Sequence, residues 1–425
     1  MDSPAILQLD CKLADAMPMY YPRTMNDCWL EAAEQFPVLL LTGPRQVGKT
    51  TFLQHICEKS RRYVTLDDPT LRTLAAEDPA LFLQRFEPPV LIDEIQYAPQ
   101  LLPHIKMMAD STRKPGLFWL TGSQQFQMMK GVSETLAGRV GILNLLGFSN
   151  RERFKLDLEV EPFLPTQDRI SQRESSAKQL NLKQLYKTIW TGSYPALVAG
   201  PAKNRDLFYS SYVQTYLQRN VKDLAQVGNE ASFLRFIKAC AARTGQLLNY
   251  SELARDADVS VNTAKSWLSI LQASYQVMLL QPYHSNVTKR LVKRPKLYFV
   301  DTGLCAYLTE WTSPETLEAG AMTGAILETY VFAEILKSWW HRGLEPRLYY
   351  YRDRDGREID FLFFQDQKLY PVEVKKSASP GSDSIKAFAT LEQSGAKVGQ
   401  GAVVCLCKEP LPLKKDVQVL PVGLL

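Results

Sequence analysis

Histidine is scarce: four residues in 425, scattered, with no H-E-x-x-H pair. A zinc enzyme built on imidazole ligands is therefore not expected. The seven cysteines are odd in number and spread through a long chain, so they make no disulfide framework. Cys405 and Cys407 stand two apart in an apolar run, on one side of an expected strand. With no second Cys or His pair to complete a metal site, they read as core. Nothing approaches 18 consecutive apolar residues, so no membrane span is expected. Met1 to Arg23 has no basic segment followed by an apolar one, so no secretory leader is expected either. There is no internal repeat. Together these absences predict a cytoplasmic protein with no membrane partner.

What remains is an ordinary globular composition, 45% hydrophobic and 22% charged, in a chain long enough for two to four domains. The net charge of +5 is mild but unevenly placed. Residues 184–300 carry 15 Lys and Arg against 6 Asp and Glu, while the segments on either side are slightly acidic. A basic middle suits a polyanionic partner.

An apolar run, Val38 to Leu41, leads into Gly43-Pro44-Arg45-Gln46-Val47-Gly48-Lys49-Thr50-Thr51 and then a helical pattern. This is the order of a phosphate-binding loop. Glycines let the backbone N–H groups turn inward, and the following helix adds its unpaired N–H groups and its positive dipole end. Lys49 would reach the β- and γ-phosphates and the Thr50 hydroxyl would ligate magnesium. A second apolar run closes on Asp93-Glu94, the first acid suited to orient Mg2+ and the second to polarise the attacking water. A third ends at Ser123-Gln124, placed to sense the γ-phosphate. Arg139 is a candidate for transition-state charge, in its own subunit or a neighbour's, or else for a surface ion pair. Apolar strands alternating with helical stretches predict an α/β parallel sheet with ligand at the strands' carboxyl ends.

Residues 161–183 are polar, Ser/Gln-rich and aperiodic, and read as a linker or insertion. Tyr250 to Leu268 patterns as two short helices about a tight turn, with Leu253, Ala254, Val259, Ala264 and Leu268 as the apolar contacts and Ser260 as a cap. The second helix would present Asn262, Thr263, Lys265 and Ser266. Lys289, Arg290, Lys293, Arg294 and Lys296 follow, with no acid between 281 and 300. The pattern reads as a winged helix with a basic wing, for DNA or for protein contacts alone.

Further on, Asp360 opens one expected strand, and Glu373 and Lys375 share a face of the next. An Asp and a Glu holding a divalent ion, with Lys to activate water, make a workable phosphodiester-cleaving site, and Glu328 on the helix 326–336 could complete it.

The chain resembles prokaryotic AAA-type P-loop ATPases that carry a C-terminal domain of unknown function. Gly43–Thr51, Leu91-Ile92-Asp93-Glu94-Ile95-Gln96, Leu136-Ala137-Gly138-Arg139, Gly192-Ser193-Tyr194-Pro195, Asp301-Thr302-Gly303 and Glu373-Val374-Lys375 carry the resemblance. Ser193 stands where a second glycine is usual. The resemblance implies ATP and Mg2+ as ligands, a helical and winged-helix middle, and a terminal PD-(D/E)XK nuclease-like fold. The expected layout is an ATPase domain over 1–160, a linker over 161–183, a DNA-binding-like region over 184–310 and an endonuclease-like domain over 311–425. Expected partners are ATP, DNA and a second copy of the chain. The function expected is an ATPase that engages DNA and couples nucleotide state to the nuclease-like fold. The alternatives are a nucleotide switch acting through protein contacts with a non-cleaving fold, and a transcription regulator using the winged helix only.

Overall fold

In the computed structural model of the chain, residues 20–123, 135–200, 202–216, 230–284, 294–353, 355–393 and 396–425 are described. Helix α1 (Asn26–Ala33) leads into β1 (Val38–Thr42), and α2 (Lys49–Ile56) follows the glycine-framed loop. Strands β2 (Arg62–Thr65), β3 (Val90–Asp93), β4 (Phe118–Gly122) and β5 (Val140–Asn144) complete a five-stranded sheet of order β2-β3-β4-β1-β5. Every pairing in it is parallel.

Every residue of β1, β3 and β4 is buried, as continuous apolar strands must be when both faces are covered. Alternation sends Val38 and Leu40 to one face, where with Ile92, Phe118 and Leu120 they meet Leu101 and Ile105 of α3 (Leu101–Thr112). Leu39 and Leu41, with Leu91 and Trp119, face the other way onto Trp29 of α1 and Phe52 of α2. Because all five strands run together, Thr42, Asp93 and Gly122 end at one edge of the sheet.

Residues 161–183, expected as a polar linker, hold a helix, α4 (Gln167–Glu174), with Ile170 and Arg173 buried. The Arg173 guanidinium donates to the Glu161 carbonyl at 2.9 Å and to the Leu424 carbonyl at 3.3 Å, fastening this stretch to the end of the chain. Its anchor is a buried arginine rather than an apolar stripe, so periodicity did not announce it.

The middle of the chain runs α5 (Glu230–Ala242), β6 (Gln246–Leu247), α6 (Tyr250–Ala257), α7 (Val261–Ala273), β7 (Val277–Leu280) and β8 (Lys296–Phe299). The strands form a small antiparallel sheet of order β6-β8-β7. The turn between α6 and α7 is made locally. Asp258 takes the left-handed conformation at φ 56°, and the Ser260 hydroxyl accepts the Thr263 N–H. Helix α8 (Thr302–Leu308) and the long α9 (Thr323–Trp340) lead to the last sheet. Its strands are β9 (Leu348–Arg352), β10 (Glu358–Gln365), β11 (Lys368–Val374), β12 (Gly401–Cys405), β13 (Leu411–Lys414) and β14 (Val417–Pro421), in the order β13-β14-β12-β11-β10-β9 with mixed pairing.

One face of that sheet, with Phe361, Phe363 and Val372, belongs to the same apolar cluster as Phe233, Leu253 and Trp267 of the middle. The core is therefore continuous across residue 310. The other face packs Ile359, Leu362, Val403 and Cys405 on Phe388, with Cys407 at the margin.

Buried polar groups fasten α9 to the exit of the parallel sheet. Glu152 lies 3.1 Å from the Arg23 guanidinium and 3.2 Å from His341 Nδ1, while His341 Nε2 accepts the Leu146 N–H at 3.1 Å. Asn150 N–H donates to Glu334 at 2.8 Å, and Lys337 donates to the Phe148 carbonyl at 2.9 Å. Burial pulls the His341 pKa down. It opposes ionisation of Glu152 too, but the Arg23 guanidinium and His341 outweigh it and hold that carboxyl well below its ordinary range. No helix among the described residues is long and apolar enough to cross a membrane.

Candidate functional site

The loop after β1 is shaped by its glycines. Gly43 has φ 145°, and a Cβ there would fall 2.0 Å from the Leu145 carbonyl oxygen, so only glycine fits between the loop and the strand exit beside it. Gly48, at φ 87°, turns the chain into α2. Lys49 is buried, and its ammonium donates to the carbonyls of Gly43 at 3.0 Å and Pro44 at 2.8 Å. Burial pulls its pKa down to about 8, with Glu94 and Asp93 acting in the opposite sense.

The second element of the site arrives on β3. The Thr50 hydroxyl lies 3.0 Å from each Asp93 oxygen, and Asp93 also accepts from Thr121 on β4 and from the Tyr63 hydroxyl at 3.2 Å. Glu94 stands in the left-handed region at φ 58°, with its N–H on the Thr121 hydroxyl at 3.0 Å. That conformation costs a non-glycine residue roughly 1–2 kcal/mol and turns Glu94 out of the strand's line. Its carboxylate accepts from the Gln96 amide, which also donates to Ser123 Oγ at 3.2 Å. Gln96 thus bridges the two residues expected to work on the γ-phosphate. The site brings Lys49, Thr50, Asp93, Glu94 and Ser123 together; Gln124 lies outside the described residues. Thr50 and Asp93 form an oxygen-only donor pair facing one point, which fits magnesium.

Thr121, Tyr63 and Gln96 are the site residues that sequence reasoning missed. So is Tyr275, buried in the left-handed region at φ 59° at the end of the helix–turn–helix. Its hydroxyl is 2.6 Å from Thr42 Oγ1 and donates to Asn144 at 2.7 Å, and Thr42 itself donates to Asn144 at 2.6 Å. The middle of the chain also covers the loop directly. Val47 belongs to the same apolar cluster as Tyr194, Tyr209 and Tyr212, and Pro195 lies beside Gly48. Ser193 is held by Asp301, its N–H donating at 2.6 Å and its hydroxyl at 2.7 Å.

Arg139 is not part of this site in its own chain. Its carbonyl accepts the Val38 N–H, at the start of β1, whereas the loop leaves the strand's other end, about 13 Å away at the rise of a strand. Its guanidinium is paired with Asp110 at 2.6 Å. The role in its own subunit is corrected on that ground.

In the helix–turn–helix, Asn262, Lys265 and Ser266 are exposed on α7. Thr263 is half-buried, and its hydroxyl is shared with Ser260 at 2.8 Å, so it is spent on the cap. Lys289, Arg290 and Lys293 lie outside the described residues, and Arg294 is exposed. Lys296, expected on the same basic wing, is instead buried and faces the last sheet. Strand alternation and the docking of β8 against α9 turn it inward.

There it meets a second group of carboxylates. Asp360 on β10 accepts the Val374 N–H at 2.9 Å, and Glu373 on β11 pairs with Lys375 at 2.6 Å. Burial raises the pKa of both acids, and Glu328 adds to the effect. The second Glu373 oxygen is buried without a partner, which fits a cation held between Asp360 and Glu373. Glu328 has one oxygen, Oε1, engaged by Lys296 at 2.9 Å and by the Tyr298 hydroxyl. Among the described residues, no group of three His, Cys, Asp or Glu side chains is placed to hold a metal ion.

A parallel sheet with a phosphate loop after a central strand and an acid pair two strands away defines an AAA-type P-loop ATPase domain, and residues 35–154 match the family model described as an AAA domain. The chain belongs to the family of two mycobacterial proteins, Rv2008c of Mycobacterium tuberculosis and Mb2031c of Mycobacterium bovis, both described as uncharacterized. It is 30% identical to each over 396 residues, 92% of this chain and 81% of theirs. Residues 182–315 and 323–425 match two further models, each described as a domain of unknown function. Among solved structures, a point variant of Thermotoga maritima RuvB aligns at 17% identity and TM-score 0.27, over 60% of this chain and 85% of that one. The Aeropyrum pernix ORC1 protein in complex with DNA aligns at 14% and 0.28, over 70% and 95%. Likenesses this loose carry no argument.

Proposed function

We propose that the chain is a magnesium-dependent ATPase that engages DNA through a winged helix and couples its nucleotide state to a nuclease-like fold. The observation that carries the ATPase reading is the meeting of Lys49, Thr50, Asp93 and Glu94 at the carboxyl edge of one parallel sheet. In this reading the backbone of Gly43–Thr51 cradles the phosphates and Lys49 neutralises the β- and γ-oxygens. Thr50 and Asp93 hold magnesium, which when bound draws charge from the phosphate oxygens. Glu94 orients the attacking water, and Ser123, through Gln96, reports whether a γ-phosphate is present. Arg139 can serve phosphate chemistry only in a neighbouring copy of the chain. DNA lies along Asn262 and Lys265 of α7, with Lys289, Arg290, Lys293 and Arg294 on its phosphates.

The test is pure protein with labelled single- and double-stranded DNA, magnesium or manganese, with and without ATP. Wild type runs beside Lys49→Ala and Asp360→Ala. DNA-stimulated ATP hydrolysis lost in Lys49→Ala is expected, and hydrolysis indifferent to DNA would sink the DNA arm of the reading. Lys265→Ala should lower the slope of log affinity against log salt by about 1. A second reading is a nucleotide switch whose nuclease fold does not cleave. The commitment of Glu328 to Lys296 supports it, and cleavage that is absent in wild type as in Asp360→Ala would favour it.

A further inference from the structure

The carboxylate cluster on the last sheet contains a cation that this sheet does not supply. Lys296 belongs to β8 of the helix–turn–helix unit, yet its side chain is 3% exposed and points among acids of α9 and β10. Its ammonium lies 2.9 Å from Glu328, 2.5 Å from Glu358 and 3.8 Å from Asp360. The strand is locked in this position from both sides. The Leu248 N–H donates to the Pro295 carbonyl at 2.8 Å, and the Tyr350 hydroxyl of β9 donates to the Arg294 carbonyl. Tyr298, two residues on, donates to the same Glu328 oxygen.

The compensation is incomplete. Glu328, Glu358, Asp360 and Glu373 stand against Lys296 and Lys375, with Arg352 3.7 Å from Glu358. Lys296 serves the Glu328–Glu358 side, and Lys375 takes one oxygen of Glu373. The other Glu373 oxygen, buried on a residue only 6% exposed, has no partner. A buried anionic oxygen without a donor is costly unless a cation meets it. The cluster is thus filled by a protein ammonium at one end and short of positive charge at the other.

We infer that Lys296 is a tethered counter-cation of this site, occupying its Glu328–Asp360 end and so setting how tightly a divalent cation binds between Asp360 and Glu373. This rests on the reading of those two carboxylates as a cation site. A divalent ion there is repelled by the ammonium, which also holds one oxygen of Glu328 away from it, so both effects weaken binding.

The experiment measures Mn2+ binding to the nucleotide-free full chain by the loss of the free-ion electron paramagnetic resonance signal. Lys296→Met, Lys296→Gln and Lys296→Arg are compared with wild type, each with and without Asp360→Asn. Both neutral variants should bind Mn2+ at least about tenfold more tightly at the Asp360-dependent site, and Lys296→Arg should stay near wild type. If Asp360→Asn lowers binding in wild type but the neutral variants gain nothing, the tethered-cation inference alone is overturned. If Asp360→Asn changes binding in no background, the cation-site reading falls and the inference with it. Should the neutral variants fail to fold in metal-free buffer by circular dichroism, refolding in Mn2+ is expected to restore them, because the ion takes the place of the lysine. Failure to restore them overturns the inference.

Discussion

In the proposed ATPase, Glu94 is the residue on which hydrolysis, as distinct from binding, depends. Its carboxylate is held by Gln96 and its backbone by Thr121, so Glu94→Gln should leave the loop and Asp93 in place. Turnover is expected to fall by about 10² or more, with the affinity for a fluorescent ATP analogue unchanged; loss of both together would show that Glu94 is structural. Lys49 gives a second measurement. Burial places its pKa at about 8, so part of the population has shed its proton at pH 8, and a polyphosphate beside it draws the proton back. Calorimetric titration with ATP in buffers of different ionisation enthalpy should show proton uptake at about pH 8 that vanishes near pH 6.5. Asp93 and Glu94 were legible because two acids closing an apolar run are conspicuous. Thr121 and Gln96 were not. Their part is set by how β3 lies against β4, and the Glu94 N–H meets a hydroxyl 27 positions away.

At the scale of elements, apolar runs located β1, β3 and β4 well, because strands buried on both faces need unbroken apolar sequence. The helix–turn–helix was equally readable, its turn being made of a left-handed Asp258 and the Ser260 cap. Removing that cap in Ser260→Ala should cost about 1 kcal/mol of stability, measured by denaturant unfolding. A change within error would mean that packing of Trp267 and Leu268 alone sets the helix. Lys296 shows where reading by element fails. In the chain it is the last of a basic run, and only the docking of β8 on α9 reveals that it points among acids of α9 and β10. Arg139 fails in the same way: Leu-Ala-Gly-Arg says nothing about which end of the sheet it occupies.

At the scale of the molecule, the exit of the parallel sheet and helix α9 are joined through buried charge, and this makes the joint sensitive to acid. Burial holds the His341 pKa in the fold below the ordinary 6.5. As pH falls through that value, the unfolded chain takes up a proton that the folded chain refuses, so stability declines by up to about 1.4 kcal/mol per pH unit from this group. The depressed pKa of Glu152 adds its own loss at lower pH, once the unfolded carboxyl begins to protonate below 4.5. In His341→Gln the side chain can still accept the Leu146 N–H but does not titrate. Its unfolding midpoint should therefore change less between about pH 6.5 and pH 5 than that of wild type; parallel curves would remove His341 from the account. The continuous core across residue 310 was illegible for a related reason. Composition marks where polarity changes along the chain, whereas this core is defined by which faces meet after folding.

The hydrogen-bonded triangle of Thr42, Asn144 and Tyr275 bears on how motion passes through this fold. Thr42 is the last residue before the phosphate loop, and Tyr275 lies in the connection between α7 and β7. Two hydroxyl protons are shared over three short contacts, two of them to the Asn144 carbonyl oxygen, so each hydroxyl depends on the others for its partner. Movement of the helix–turn–helix unit on the parallel sheet would break these contacts, and a hydroxyl left without a partner is costly. Such a joint ties the helix–turn–helix unit to the strand that delivers the phosphate loop, so the two are expected to move as one body.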